Sequence, residues 1–108
     1  MAGESDLLHG TLDILVLKTL TAGARHGYAI ARAIEDVTRE VVQVEEGSLY
    51  PALYRMERKG FIEAEWGVSE LNRKVKLYRL TAKGRKRLAS ETEEWLRFSA
   101  AITHLLTA

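Results

Sequence analysis

Residues 47–66 read GSLYPALYRMERKGFIEAEW, and this stretch decides the fold. Its first part places apolar residues at helical spacing, at Leu49, Leu53 and Met56. Gly60 then ends the pattern, as glycine commonly does just past the C-terminus of a helix. The Phe, Ile and Trp that follow are typical of a strand. The stretch therefore predicts a helix over residues 47–59 and a strand over residues 61–66.

The segments on either side of this stretch complete the arrangement. A second strand, over residues 75–80, follows a polar connection and makes a hairpin with the first. Upstream, the patterns predict helices over residues 8–20 and 27–38 and a brief β-branched strand over residues 41–44. Thr81 is an expected N-cap that opens a final helix to the C-terminus. Three helices followed by a hairpin is the winged helix-turn-helix arrangement, an α+β fold that is mostly α.

Apolar stripes assign the faces of the first two helices. The first helix is apolar on two sides, so it needs two covers, one from its own domain and one that a partner chain can supply. Leu12 is the residue of this helix that we assign to a dimer interface. In the second helix the predicted buried stripe is Ile30, Ile34 and Val37.

The formal net charge of +1 conceals a strong asymmetry along the chain. Residues 1–54 carry four basic and eight acidic side chains, a net −4. Residues 55–87 carry eleven basic and four acidic side chains, a net +7, and residues 88–108 return to −2. Such concentrated positive charge indicates an anionic partner, as nucleic acid would be; a solvated surface gives the same pattern.

The helix over residues 47–59 is a candidate recognition helix. Such a helix enters the major groove and presents its N-terminal side chains to base edges. Arginine pairs with guanine, while serine and tyrosine contact phosphates or bases. The candidate contacts are Ser48, Tyr50, Pro51, Tyr54 and Arg55. An ordinary amphipathic helix with half-buried tyrosines has the same pattern and stays open as the alternative.

The predicted hairpin supplies a second set of candidate contacts. Arg73, Lys74 and Lys76 lie at or just after its tip. Basic side chains on a protruding tip reach a minor groove or flanking phosphates with little desolvation. Charge that only keeps the tip in solution is the alternative. The helix and the basic hairpin, in this order, are together a more specific indication of DNA binding than either is alone.

The final helix carries a short apolar seam with the spacing of coiled-coil positions. The seam consists of Leu88, Trp95, Phe98, Ile102 and Leu105. Little of its own domain is left for this face to pack on, so pairing with a second copy across a two-fold axis is the expected cover. Packing onto the first helix of the same chain is the alternative, and the two arrangements are compatible.

The sequence argues against several classes of function. It contains no cysteine, which removes disulfides and Cys-ligated zinc. His9, His26 and His104 lack the spacing of a zinc site, and no nucleophile elbow or phosphate-binding glycine loop is present. We therefore expect no metal, no cofactor and no enzymatic activity. With no secretion signal and no apolar run of membrane-spanning length, a cytoplasmic protein is expected.

Nearly the whole chain resembles the PadR family of bacterial transcriptional regulators. The matching runs are GTLDILVLKTL (10–20), HGYAIARAIE (26–35), EEGSLYPALYRMERKGFIEAEW (45–66) and KLYRLTAKGRKRL (76–88). The resemblance implies a winged helix-turn-helix DNA-binding domain over residues 1–80 and a C-terminal dimerisation helix over residues 81–108. It also implies a homodimeric repressor that a small-molecule effector releases from its DNA. A dimer of this kind would bind a palindromic operator.

The resemblance also implies which residues contact DNA. The DNA contacts of the family map onto Tyr28, Ser48, Tyr50, Pro51 and Arg55, and onto Arg73 and Lys74 of the hairpin. This chain departs from the family at the hairpin tip, which lacks the glycine that members often carry and has an unusual leucine, Leu71. The resemblance therefore does not fix the geometry of the tip.

Trp95 is a candidate effector contact, because its position on the seam faces its own symmetry mate. If the two rings do not pack together, an aromatic-walled cavity between them suits a flat apolar ligand, such as a small aromatic compound. A filled interface in which Trp95 only packs is the alternative. For the protein as a whole, the rival is a winged-helix module that binds protein and not DNA. The basic hairpin favours DNA.

Overall fold

The computed structural model describes the backbone of residues 4–108 and the side chains from Thr11 onward. That part of the chain contains four α-helices, one 3₁₀ turn and three strands. They are α1 (Glu4–Thr19), the 3₁₀ turn (Leu20–Ala22), β1 (Arg25–His26), α2 (Gly27–Val37), α3 (Glu46–Arg58), β2 (Ile62–Val68), β3 (Lys74–Leu80) and α4 (Ala82–Thr107). The predicted class, a mostly helical α+β winged helix, is confirmed.

One apolar core joins the helices to the hairpin. The first three helices each turn one face inward, and the base of β2 and β3 closes the core from the side. Its members are Leu12, Val16, Leu17, Leu20, Ile30, Ile34, Leu49, Ala52, Leu53, Met56, Ile62, Tyr78 and Leu80. The described residues include no buried charged side chain, so burial of apolar surface is what holds these elements together.

Two positions differ from the sequence prediction. Leu12 is 1% exposed within its own chain, so it belongs to the core and has no surface left for a partner. Its assignment to a dimer interface is therefore wrong. Val37 is 83% exposed, because α2 ends there and its buried stripe stops one turn earlier, at Ile34.

The three-stranded sheet has the order β1–β3–β2, with both pairs antiparallel. Its short first strand places Arg25 opposite Tyr78 and His26 opposite Leu77. The predicted strand over residues 41–44 is wrong, since these residues form bends and irregular backbone. A strand of two residues is too short to leave an alternating pattern in the sequence, which is why β1 was not predicted.

Side chains of α2 and of its C-cap residue bond two backbone N–H groups of residues 41–44. The Val42 N–H donates to Thr38 Oγ1 (3.2 Å), and the Val44 N–H donates to Glu35 Oε2 (3.0 Å). Local bonds of this kind compete with sheet formation. The segment is therefore a connection held to the end of α2.

Thr81 joins the ends of four elements at one point. Its Oγ1 accepts from the Gly84 N–H (3.0 Å) and donates to the Gly60 carbonyl oxygen (2.6 Å), while its own N–H donates to the Phe61 carbonyl oxygen (3.2 Å). The predicted N-cap is confirmed. Gly84 lies so close to the Phe61 carbonyl that a β-carbon at this position would overlap it. The end of α3, the start of β2, the end of β3 and the first turn of α4 are thus held together.

The two halves of α4 have different surroundings, although it is one helix of 26 residues. Gly84 is buried, and Leu88 packs against the core. From Glu93 to Ala108 almost every side chain is exposed. The molecule measures 52 × 27 × 25 Å, so the distal half of α4 projects from the domain. In the part of the chain that the structure describes, no helix combines the length and apolarity needed to span a membrane.

Replacing Gly84 by alanine should destabilise the fold, although alanine favours a helix over glycine by about 1 kcal/mol. The added β-carbon would meet the Phe61 backbone, and we expect the free energy of unfolding to fall by about 1–3 kcal/mol. Denaturant unfolding followed by circular dichroism measures the change.

Gly47→Ala is the matched control, because Gly47 lies in the first turn of α3 and nothing lies within 4 Å of an added β-carbon there. We expect this variant to gain up to about 1 kcal/mol. If both variants are equally stable or both are stabilised, the close approach at Gly84 does not constrain the fold.

Candidate nucleic-acid interface

α3 turns one face into the core and leaves the other open. Leu49, Leu53 and Met56 are 1% exposed or less, which confirms the predicted buried stripe and fixes the rotation of the helix about its axis. On the open face Tyr50 is 44% and Tyr54 is 64% exposed. Pro51 is also exposed, and Ser48 is partly so. These four predicted contacts therefore lie together on the exposed side of α3.

Gly27, at the start of α2, leaves room for the ring of Tyr50 on α3. A β-carbon at Gly27 would be 2.6 Å from the Tyr50 hydroxyl oxygen, so only glycine accommodates the ring in this position. The next residue, Tyr28, is 67% exposed, and its ring is nearly parallel to that of His26. His26 itself caps α2 by accepting from the Ala29 N–H (3.3 Å). The start of α2 thus lies against the Tyr50 ring, and the exposed Tyr28 follows Gly27 there in the chain.

Arg55 lies in the last turn of α3, and not near its start. Its Nη2 donates to Asp13 Oδ1 on α1 at 2.8 Å, with both side chains partly exposed. Exposed pairs of this kind contribute about 0–1 kcal/mol to stability, so the pair is exchangeable. Any external partner of Arg55 has to compete with Asp13.

The tip of the β2–β3 hairpin closes without glycine. The Ser69 N–H donates to the Arg73 carbonyl oxygen (2.8 Å), and the Asn72 N–H donates to the Ser69 carbonyl oxygen (2.9 Å). Asn72 has a φ of 59°, in the left-handed region that asparagine tolerates better than most residues. Asn72 thus takes the conformation for which a glycine would be used, and Leu71 is left exposed at the tip.

The three predicted basic residues of the hairpin have different surroundings. Arg73 is exposed at the tip, and within the described chain its side chain has no carboxylate partner. The Nζ of Lys74 lies 5.2 Å from the centre of the Trp66 ring. Lys76 donates to Glu57 of α3 at 3.1 Å, and this bond raises the pKa of Lys76. Arg73 and Lys74 are therefore available to an anion, whereas Lys76 shares its charge with Glu57.

Tyr78 lies at the base of the hairpin beneath Lys76. Its ring is buried in the core, and the Nζ of Lys76 lies 5.7 Å from the ring centre. Burial raises the pKa of Tyr78, since the phenolate would lose hydration. The phenol therefore stays neutral at physiological pH and acts as a packing residue.

Carboxylates pair with four of the eleven cations of residues 55–87 within the described chain. On the outer face of the hairpin, Arg79 bonds Glu63 (2.9 Å) and Glu65 (3.2 Å), and the bond to Glu63 is the main reason that its pKa is raised. The pairs are Arg55–Asp13, Lys76–Glu57, Arg79–Glu63, Arg79–Glu65 and Arg87–Glu91. Of these carboxylates only Asp13 and Glu91 lie outside the segment, and the cations without a carboxylate partner in the described chain include those of the hairpin tip.

The sequence did not predict the acidic partners of Arg55 and Lys76, or the exposed ring of Trp66 beside Lys74. Glu57 follows Tyr50 by two helical turns, so its place on the open face of α3 was readable from the spacing. The Arg55–Asp13 pair spans 42 positions and leaves no local signal. The described side chains include no cluster of acidic residues and histidines that could hold a metal ion.

The apolar seam of α4 is exposed along its distal part. Trp95 is 43%, Phe98 is 60%, Ile102 is 40% and Leu105 is 75% exposed. The rings of Trp95 and Phe98 are neighbours, with centres 6.5 Å apart and a tilt of 48°. Leu88 differs from the other predicted seam residues because it packs against the core of its own domain. The surface left for a partner therefore begins at Trp95.

Known proteins resemble this chain in both sequence and fold. Residues 16–90 match the family described as the transcriptional regulator PadR-like family. A protein of Lysinibacillus sphaericus, described as uncharacterized protein X, is 35% identical over 92 residues, which are 85% of this chain and 84% of that protein.

Solved structures extend the similarity. A transcriptional regulator from Clostridium thermocellum has a TM-score of 0.82 at 32% identity, covering 91% of this chain and 95% of that one. A PadR-like transcriptional regulator from Bacillus cereus has a TM-score of 0.80 at 29% identity, covering 94% and 97% of the two chains. The similarity therefore includes α4 as well as the helices and hairpin of the domain.

Proposed function

Because the chain belongs to the PadR-like family of transcriptional regulators, we propose that it is a repressor that binds a palindromic operator as a homodimer and leaves it when a small effector binds. One observation carries the DNA-binding part: the open face of α3 lies beside a protruding hairpin whose Arg73 and Lys74 have no carboxylate partner in the described chain. In this function no residue has a catalytic role. In a bacterial cell the protein would work in the cytoplasm, with the DNA.

In the proposed complex, α3 enters the major groove with its open face toward the bases. Ser48, Tyr50, Pro51 and Tyr54 then contact base edges or nearby phosphates, and Tyr28 contacts the backbone from the start of α2. Arg73 and Lys74 reach phosphates or the adjacent minor groove. The fixed rotation of α3 in the core supports this arrangement, because it aims the open face in one direction.

Arg55 and Lys76 have a different role in the proposal. Each is held by a carboxylate, Asp13 or Glu57, before DNA arrives. A contact with DNA replaces that carboxylate, so the net gain in free energy is smaller than for an unpaired cation. Replacing a carboxylate in this way favours DNA sites that offer the cation a well-aligned bond, and it adds little to non-specific binding.

The exposed seam supports the dimer. Trp95, Phe98, Ile102 and Leu105 form one apolar stripe on a helix that projects beyond its own domain. A two-fold axis would place the same stripe of a second copy opposite it, so that both apolar stripes would be buried together. Residues 81–108 would then act as the dimerisation helix and residues 1–80 as the DNA-binding domain. Two recognition helices about one helical turn apart, roughly 34 Å, would meet successive major grooves.

Trp95 supports the effector part of the proposal. In the proposed dimer its ring would lie near its symmetry mate, and its tilted contact with Phe98 makes an aromatic wall. A flat aromatic compound held between such walls would stabilise one spacing of the two domains over another. A ligand that prefers a spacing unsuited to the operator would release DNA.

Lys74→Ala should weaken binding to every DNA sequence about equally. DNA selected from a random pool by the purified protein supplies the operator, and fluorescence anisotropy then measures affinity as a function of salt. Loss of one phosphate contact should lower the slope of log K against log salt by about one. Lys86→Ala removes the same charge from the exposed side of α4 and should leave the slope nearly unchanged.

The same titrations test Arg55, since Arg55→Ala should cost about 1–3 kcal/mol on the operator, and less on random DNA, if it reads a base. No palindrome in the selected pool, or wild-type affinity for the Lys74 and Arg55 variants alike, would contradict the DNA-binding model. A protein that selects no DNA would favour the alternative, a winged helix that binds protein.

Phe98→Glu should convert the dimer to a monomer while the domain stays folded. A carboxylate in an apolar interface loses hydration without gaining a partner, at a cost of several kcal/mol. Sedimentation velocity measures the change. Ala100→Glu is the control, because it adds the same charge two residues further along, on the opposite side of the helix. A Phe98→Glu variant that still sediments as a stable dimer would show that the interface lies elsewhere.

Trp95→Ala should abolish the response to planar aromatic compounds. The chain has two tryptophans, Trp66 and Trp95, so titrating such compounds into the wild type and following emission reports on both. We expect saturable quenching that disappears in the Trp95→Ala variant, together with release of operator DNA by the compound from wild type only. Quenching that persists unchanged in the variant would remove Trp95 from the sensing role.

A further inference from the structure

Two large apolar side chains on the strands of the hairpin are exposed and have no role in the hydrogen bonds and ion pairs described above. Trp66 is 65% and Val68 is 63% exposed. In the register of the hairpin, Trp66 lies opposite Lys76 and Val68 lies opposite Lys74. Residues directly opposite each other on paired strands share a face of the sheet. Trp66, Val68, Lys74 and Lys76 therefore form one surface, which we call the inner wing face.

The inner wing face continues the core beyond the edge of the domain. The preceding pairs on the same face are Ala64 with Tyr78 and Ile62 with Leu80, of which Tyr78, Ile62 and Leu80 are buried. Where that face leaves the core, Lys76 reaches across to Glu57 on α3. The inner wing face is thus turned toward the side on which α3 lies, next to the proposed DNA-contacting surface.

One cation of this face, Lys74, lies over the aromatic ring of Trp66 without covering it. The Nζ of Lys74 lies 5.2 Å from the centre of the Trp66 ring, within the range of a cation–π contact. Nearly two-thirds of the Trp66 side chain nevertheless remains open to solvent. An indole beside a lysine offers an apolar surface and a positive charge within one short stretch.

This alternation of charge and apolar surface matches the chemistry of a DNA strand. Each nucleotide has an anionic phosphate, which lysine binds, and next to it the C–H surface of a deoxyribose, on which an indole or an isopropyl group can pack. We propose that Trp66, together with Val68, packs against the sugars of the DNA strand whose phosphates Lys74 contacts. This inference rests on the proposed DNA-binding function and adds a non-ionic part to the affinity.

Salt dependence separates this contact from the ionic ones. Burial of an indole releases no counterions, so Trp66→Ala should lower the affinity on the order of tenfold at every salt concentration and leave the slope unchanged. Lys74→Ala should instead change the slope. Val37→Ala removes an exposed apolar side chain at the end of α2 and serves as the control that should bind as wild type does.

Fluorescence gives a second readout that does not depend on the alanine variant folding. The emission of Trp66 is the difference between wild type and Trp66→Phe, and it should change on adding operator DNA with the same midpoint as the anisotropy titration. Anisotropy that reports binding while the Trp66 emission and the affinity of Trp66→Ala stay at wild-type values would overturn the inference and leave the DNA-binding function intact. A wild type that binds no DNA would overturn both. A Trp66 response to phosphatidylserine vesicles in place of DNA would assign the face to a membrane surface and also overturn it.

Discussion

The close contact between the first turn of α4 and the backbone of Phe61 is the constraint on which the arrangement of the molecule depends. Around Thr81, one hydroxyl and one N–H bond the end of α3, the start of β2 and the start of α4. Gly84 lets the helix come down on the Phe61 carbonyl with no side chain between them. The helix α3, the hairpin and α4 are therefore oriented by the same few backbone atoms, and none of the three can turn without disturbing the others.

Acidic side chains determine which cations of the surface are available. Asp13 and Glu57 hold Arg55 and Lys76, while Arg73 and Lys74 at the hairpin have no carboxylate partner in the described chain. In residues 55–87, the segment with the highest positive charge, the availability of the cations therefore decreases from the hairpin tip toward the core. The outermost cations are free, and those nearer the core must exchange a partner. In the proposed DNA complex, long-range attraction would come from the first group and selectivity from the second.

The sequence predicted the elements well where their pattern was local. The stripe Leu49, Leu53, Met56 and the cap at Thr81 placed α3 and α4 to within about one residue, because helical periodicity and capping depend on neighbours in the chain. Residues 41–44 were mistaken for a strand because their β-branched composition does not reveal that Thr38 and Glu35 bond their N–H groups.

The sequence predicted which residues of α3 lie on the candidate surface, but not the ion pairs that they form. Ser48, Tyr50, Pro51 and Tyr54 share the open face of α3, as their spacing indicated. Leu12 was assigned to a partner because a helix with two apolar sides does not show which side the core takes. The neutralisation of Arg55 by Asp13 and the exposure of Trp66 both depend on how distant segments meet, and only the folded chain contains that information.

The continuity of α4 has a mechanical consequence. From Gly84 to Leu105 the helix rises about 1.5 Å per residue, a span of roughly 30 Å without a hinge. A stiff rod anchored at one end works as a lever, and a tilt of about 5° at its root moves its far end by about 3 Å. The reverse also holds, so a small displacement imposed far from the domain becomes a rotation at Thr81. Because the hairpin and α3 are fixed to that same root, they would rotate with it as a single unit.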